Sequence, residues 1–287
     1  MGRIAYVNGQ YLAHGAASVH IEDRGYQFAD AVYEVWALFD GRLADPDGHF
    51  TRLNRSLSEL KIDPPMSREA LTVVLKETVR RNRIREGLVY LQVSRGVAPR
   101  DHAFPSPDIA PSVVVTVSRV DRAATEARAL RGVGVITQPE NRWGRCDIKT
   151  VGLLPNVLAK QAARERGAVE AWFVDEMGLV TEGASSNAWI IDANGTLRTR
   201  DAQSNILRGV TRTTLIEILG LEGITLSEQP FSVEEAKAAK EAFITGAGSL
   251  VLPVVTIDGT PVGTGEPGPM ASLLRRHYIK QAKASSI

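Results

Sequence analysis

Cysteine is almost absent from this chain. Cys146 is the only one, so no disulfide can form within the chain, and a lone thiol fits a reducing compartment. Long apolar runs are missing too: none approaches the roughly 18 residues that would suggest a membrane span. The opening residues, Met1 to Tyr6, lack the hydrophobic region of a signal peptide, so a cytoplasmic protein is expected. Charge of one sign is not in excess. With 34 Lys+Arg against 33 Asp+Glu the formal net charge is +1, and no basic run is sustained, so no nucleic-acid partner is expected. The densest basic cluster, Arg80, Arg81 and Arg83, falls at the end of an expected helix, where it complements the helix dipole. The five histidines (14, 20, 49, 102 and 277) have no paired helical spacing, and no metal site is expected.

What is present is an ordinary globular composition, 44% hydrophobic and 23% charged, in 287 residues, enough chain for two domains. Residues 4–13 read as two short strands around Asn8-Gly9, a strong hairpin signal. A second extended run, 32–39, precedes Asp40-Gly41; its alternation sets Tyr33, Val35 and Ala37 on one face and Glu34, Trp36 and Leu38 on the other. Phe50, Leu53, Leu57 and Leu60 give a helix over 49–61 with Arg52 off its apolar stripe, and Ser67 caps a second helix running to about Arg83. Strands at 88–94 and 113–117 flank a polar, proline-rich loop, 98–105. Residues 120–131 lack a strong apolar pattern and are expected to link an N-terminal α/β domain, 1–119, to a C-terminal domain, 132–287. In the latter, strands at 132–137, 171–175, 186–192, 241–245 and 250–257 mix with helices at 155–166, from about Val210, and at 270–282. This irregular order argues for an α+β fold over a doubly wound sheet.

Several residues invite a chemical reading beside a bland one. Lys149, next to apolar Ile148, can act as an amine nucleophile toward a carbonyl, as pyridoxal phosphate enzymes require, with a carboxylate such as Glu182 for the ring nitrogen; either residue can equally be an ordinary surface charge. The helix starting at Val210, with the Thr211 hydroxyl, is a phosphate seat or simply a capped helix. The Gly246 to Ser249 turn permits close backbone approach, and Arg52 is a third anion donor. Arg100 and His102 either face an anionic ligand or belong to a solvated loop. Gly263 to Gly268 spells the dinucleotide fingerprint but opens no helix, so it is read as a turn.

Taken together, residues 22–28, 32–35, 49–53, 92–105, 145–149, 158–161, 180–187 and 206–212 make the chain resemble the D-amino acid aminotransferases of the fold-type IV pyridoxal phosphate enzymes, the class IV aminotransferase family, along nearly its whole length. The resemblance implies a two-domain α+β architecture: a smaller N-terminal α/β domain and a larger C-terminal domain with a barrel-like sheet, pyridoxal 5'-phosphate lying at their interface. It implies that Lys149 carries the cofactor as a Schiff base and moves the proton, that Glu182 pairs with the ring nitrogen and that Leu207 packs on the ring. Arg52, Val210, Thr211, Gly246 and Ala247 would hold the phosphate. Tyr33, Arg100 and His102 would trap the substrate carboxylate, with Val35 a further substrate-binding position. The 100–102 loop would complete the site of a neighbouring subunit, so a homodimer is expected.

The implied reaction is transamination between a D-alanine-like D-amino acid and 2-oxoglutarate or pyruvate. The rivals are an (R)-selective amine transaminase and a branched-chain L-amino acid aminotransferase, over both of which the Pro99–His102 loop favours the D-acid; an aminodeoxychorismate lyase, which would need a site open to a large cyclic substrate that no feature demands; and a non-enzymatic binding protein, against which the intact Lys149 and Glu182 pair weighs. Three departures bear on side-chain preference. Gly246 and Ala247 stand where relatives often carry hydroxyls, Phe28-Ala29-Asp30-Ala31 replaces a more usual Gly-Asp-Gly, and Trp36 is bulky.

Overall fold

The two dipeptides that mark the N-terminal turns adopt the backbone those turns demand. Asn8 and Gly9 have φ of 43° and 95°, Asp40 and Gly41 of 54° and 81°, the left-handed pair that matches the twist of a hairpin. The first joins strands Ile4–Val7 and Gln10–Ala13, the second Ala31–Phe39 and Arg42–Leu43. The computed structural model describes residues 3–203 and 205–287 and divides them into two compact units.

In the first unit these strands belong to a six-stranded antiparallel sheet, in the order Gln10–Ala13, Ile4–Val7, Ser112–Arg119, Gly87–Ser94, Ala31–Phe39, Arg42–Leu43. Helices Pro46–Glu59 and Arg68–Asn82 supply Phe50, Leu53, Leu57, Leu71, Leu75 and Val79 to a core shared with Val32, Trp36, Leu38, Val89, Leu91 and Val115. The first helix begins three residues before the apolar pattern predicts, because Pro46 pre-sets its first turn. The Ser67 hydroxyl accepts from the Ala70 N–H, the expected cap. Trp36 is fully buried on the core side of its strand, against His49 and Phe50, so its bulk fills the core and not the opposite, Tyr33-bearing face.

The second unit is organised on a nine-stranded mixed sheet that curls as an open half-barrel. Its path runs Leu226–Ser227, Leu197–Thr199, Asn187–Ile191, Glu241–Gly246, Leu250–Ile257, Val133–Pro139, Glu170–Val174, Val180–Gly183, with Thr260–Pro261 beside Leu250–Ile257. Val133–Pro139 runs parallel to both of its neighbours, which places helix Leu154–Glu165 in the crossover to Glu170–Val174. Trp172, Ile190, Phe231, Ile244 and Leu252 form the core under one face.

The unit boundaries differ from the expected domains. Residues 120–131 are not a bare linker: Arg122–Arg131 is a helix of the second unit, with Ala129 buried in its core. Ile148–Gly152 belongs to the first unit although it follows the start of the second. The cause is backbone pairing. Tyr33 N–H donates to the Lys149 carbonyl (3.0 Å), Val151 N–H donates to that of Ala31 (3.2 Å), and Ile148 joins the first core. Ser285–Ile287 returns to the first unit as well, where Leu43 and Ile287 exchange hydrogen bonds. Among the described residues no helix is long and apolar enough to cross a membrane.

Candidate active site

The pairing that brings Ile148–Gly152 into the first unit also fixes Lys149. Its carbonyl is held by Tyr33, its own N–H donates to the Ser56 hydroxyl (3.4 Å), and its Nζ stands 4.2 Å from the centre of the Tyr33 ring. An ammonium over an aromatic face is attracted by the ring quadrupole, which holds the amine without tying it to a carboxylate. Tyr33 and Val35 lie on the face of the sheet opposite the core, their cross-strand partners being Gln92 and Tyr90. Tyr90 packs 5.6 Å from Tyr33 and donates to Gln92 Oε1 (2.8 Å); burial, then the neighbouring Tyr33, push its phenol up to about 12. Tyr90 therefore stays a neutral donor, a wall of this face that sequence alternation over 87–94 could have indicated.

On the core face of the same strand is a buried charge cluster that sequence reasoning missed. Glu34 accepts from Arg52 Nε and Nη2 (2.7 Å each) and faces His49 Nδ1 at 2.7 Å. Burial would raise its pKa, but the Arg52 charge and hydrogen bonds, with those of His49, outweigh it and hold the carboxyl at about 2. Arg52 is thus oriented by Glu34 through two of its nitrogens. The available signal was an acid on the apolar face of a strand.

Arg100 and His102, both exposed, share a support. The Arg100 guanidinium lies 4.9 Å from the centre of the Phe28 ring, and the His102 ring 5.4 Å from it.

In the second unit Glu182 is 4% exposed. Its oxygens accept from Arg142 Nη1 (2.5 Å), Asn187 Nδ2 (3.0 Å) and the Leu207 N–H (3.1 Å). Arg142 also grips Glu140 through Nε (2.8 Å) and Nη2 (2.6 Å), and Thr181 donates to Glu140 (2.8 Å). Burial disfavours both charges, yet the pairing wins: Glu140 lies below the usual carboxylate range and Arg142 above the usual guanidinium value. One guanidinium so serves two carboxylates, an arrangement that Glu140 and Arg142, two positions apart, hinted at. Cys146, beside this network, donates to the Trp143 carbonyl, and burial pushes its thiol up to about 11, so it is a packed neighbour and not a nucleophile.

Asn187 bridges Glu182 and Leu207. It donates to Glu182 and to the Leu207 carbonyl (3.0 Å), and it pairs with Thr245, next to Gly246 and Ala247. Helix Val210–Leu221 starts at Gly209 with no side-chain cap, which leaves its first N–H groups available to an anion; Thr211 Oγ1 is 3.4 Å from the Tyr278 hydroxyl. Two glycines let the chain approach its neighbours closely here. A Cβ on Gly209 would stand 2.0 Å from Asn187 Oδ1, and one on Gly246 would stand 3.1 Å from the Ser185 carbonyl oxygen. Gly209→Ala is expected to push Asn187 off Glu182 and to cost about 1–3 kcal/mol. Urea titration measures this, and an unchanged midpoint would mean that Asn187 is not wedged there.

The family model for class IV amino-transferases matches residues 31–257. The chain belongs to the class IV aminotransferases. It is 38% identical over 98% of both chains to a D-alanine aminotransferase of Staphylococcus haemolyticus. It is 40% identical to that of Bacillus licheniformis, over 92% of this chain and 91% of that one. Among solved structures it resembles the branched-chain aminotransferase of Thermoproteus uzoniensis with norvaline (TM-score 0.85, 26% identity, 98% of this chain and 94% of that one). Fold-type IV is thereby the fold, and as members of this class are pyridoxal phosphate enzymes, so is this aminotransferase. The second unit fits that group: a buried, ionically held carboxylate suits a protonated ring nitrogen, and an uncapped helix start with a glycine-lined turn suits a phosphate.

Proposed function

We propose that this aminotransferase moves amino groups between D-alanine-like D-amino acids and 2-oxo acids, 2-oxoglutarate or pyruvate, and works as a cytoplasmic homodimer. The observation that carries the reading is the near full-length identity to D-alanine aminotransferases, higher than that to the branched-chain enzymes of the same fold.

Bound pyridoxal phosphate supplies an electrophilic carbonyl and an electron-withdrawing ring. Lys149 would hold it through Nζ, and the same amine would take the substrate Cα proton and later return it. Cradled by Tyr33 and free of a carboxylate partner among the described residues, the amine can exchange these roles. Glu182 would accept the ring N–H, and Arg142 and Asn187 hold its oxygens in place. Leu207 would pack on the ring. Arg52, the N–H groups of Val210 and Thr211, and the Gly246–Ala247 turn receive the phosphate. Tyr33, Arg100 and His102 hold the substrate carboxylate, with Val35 beside them, and the 100–102 loop serves the neighbouring subunit.

The test is the half-reaction. The visible band of the loaded enzyme should be lost with D-alanine and persist with L-alanine; a spectrum indifferent to every D-amino acid would refute the reading. Arg100→Ala removes a charged hydrogen-bond donor worth about 1.5–3 kcal/mol, so kcat/KM for D-alanine should drop roughly 10–100-fold. For 1-phenylethylamine, which has no carboxylate, any loss should be far smaller. Equal losses would remove Arg100 from the carboxylate trap.

A further inference from the structure

The loop that carries Arg100 and His102 is exposed at all three of its residues, yet it is fastened from beneath by a buried side chain with no part in the reaction described so far. Arg24, 3% exposed, opens the short helix Arg24–Phe28. Its Nη1 donates to the Asp101 carbonyl (2.6 Å), its Nη2 to that of His102 (3.3 Å), and its Nε to Asp30 Oδ2 (2.8 Å). The helix ends at Phe28, whose ring meets the guanidinium carbons of Arg24 (4.8 Å) and Arg100 (4.9 Å) and the ring of His102. Asp30 is itself anchored. Arg95 donates to it through Nε (2.7 Å) and Nη2 (3.1 Å) and to the Leu60 and Lys61 carbonyls at the end of helix Pro46–Glu59.

We propose that Arg24 and Phe28 are positioning residues for the substrate carboxylate: they fix the backbone and side-chain planes of Arg100 and His102, and so set affinity for amino and oxo acids. The inference rests on the reading that Arg100 and His102 receive that carboxylate. An exposed loop otherwise samples many conformations, and binding must select one; prior fixation removes that cost. The planar fork of Arg24 bridges a carboxylate and two carbonyls at once. A lysine at position 24 keeps the charge but presents a single point.

The experiment follows the D-alanine half-reaction of the holoenzyme by its visible band in Arg24→Lys, Phe28→Leu, Arg100→Ala and the double variants pairing each of the first two with Arg100→Ala. Arg24→Lys should raise half-saturating D-alanine on the order of tenfold, with the limiting rate changed less than about twofold. Phe28→Leu should act in the same direction. With Arg100 already removed, each should add a smaller factor, because only the part of its effect that passes through His102 remains. An unchanged half-saturation, a loss confined to the limiting rate, or the same factor in both backgrounds would overturn the inference. If Arg24→Lys yields no folded holoenzyme, the Phe28→Leu cycle decides. The two levels separate cleanly. If Arg100→Ala alone leaves half-saturation unchanged, the carboxylate reading falls and this inference with it; if only Arg100→Ala has an effect, the positioning role alone is overturned.

Discussion

Lys149→Ala should keep the fold and lose the reaction. Turnover of D-alanine with 2-oxoglutarate is expected to fall roughly 10⁴-fold, the upper end of what a positioned proton-transfer group contributes. The fold should survive because the chain holds residue 149 by its backbone. The carbonyl accepts from Tyr33 and the N–H donates to Ser56, neither of which alanine disturbs. The Nζ contributes the Tyr33 contact alone among the described residues, about 0.5–1 kcal/mol. In the cofactor-free forms, calorimetry should thus find Tm shifted by no more than about 2–4 °C. Activity above one-hundredth of the parent would show that another base moves the proton. A large drop in Tm would show that the amine is structural.

The same residue illustrates what can be read from sequence. From its neighbours alone it reads equally as a carbonyl nucleophile or an ordinary surface charge, and the family resemblance is what favours the first. Its address was not legible. Ile148–Gly152 is attached to the first unit by backbone bonds along the edge of Ala31–Phe39, and backbone pairing leaves no side-chain periodicity to detect. Local chemistry was more transparent where a single residue type decides the outcome, as at Asn8-Gly9, Asp40-Gly41 and the Ser67 cap. It failed at Arg122–Arg131, where only Ala129 is buried and one small side chain makes no stripe. Strands of two residues, Leu226–Ser227 and Thr260–Pro261, are below the length at which alternation means anything.

Buried charges were the least legible feature. Arg24, Glu34, Arg142 and their partners come from separate segments, and a charge looks like surface until its counter-charge is placed beside it. Glu182, Leu207, Val210 and Gly246 were singled out one by one, but the residue that links their neighbourhoods, Asn187, carried no signal beyond its place at the end of the Thr181 to Asn187 stretch.

Glu34→Gln should be the most damaging stability change among these clusters. Glu34 is fully buried and binds Arg52 through both oxygens. Neutralising it removes the carboxylate that two of the Arg52 nitrogens bond, and taking one member out of a buried ion pair costs about 3–5 kcal/mol. The loss should also depend on pH in a defined direction. The Glu34 carboxyl is held at about 2 in the folded chain, below its ordinary value of 4.5. Its contribution is therefore fully present above pH ~4.5 and fades as pH falls toward ~2, by roughly 3 kcal/mol in all. His49 adds a slope at higher pH. Burial lowers its pKa despite Glu34 beside it, so the folded form resists protonation, and stability declines as pH drops below the unfolded value near 6.5. Denaturant titrations of the cofactor-free parent and Glu34→Gln from pH 7 to 3 should show a wide gap at neutrality that narrows below pH 4.5. The unfolded parent takes up a proton there while the folded carboxylate stays charged, and the variant has no such group. A gap that stays constant to pH 3 would mean that Glu34 titrates alike in the folded and unfolded chain, and the ion pair that orients Arg52 would have to be abandoned.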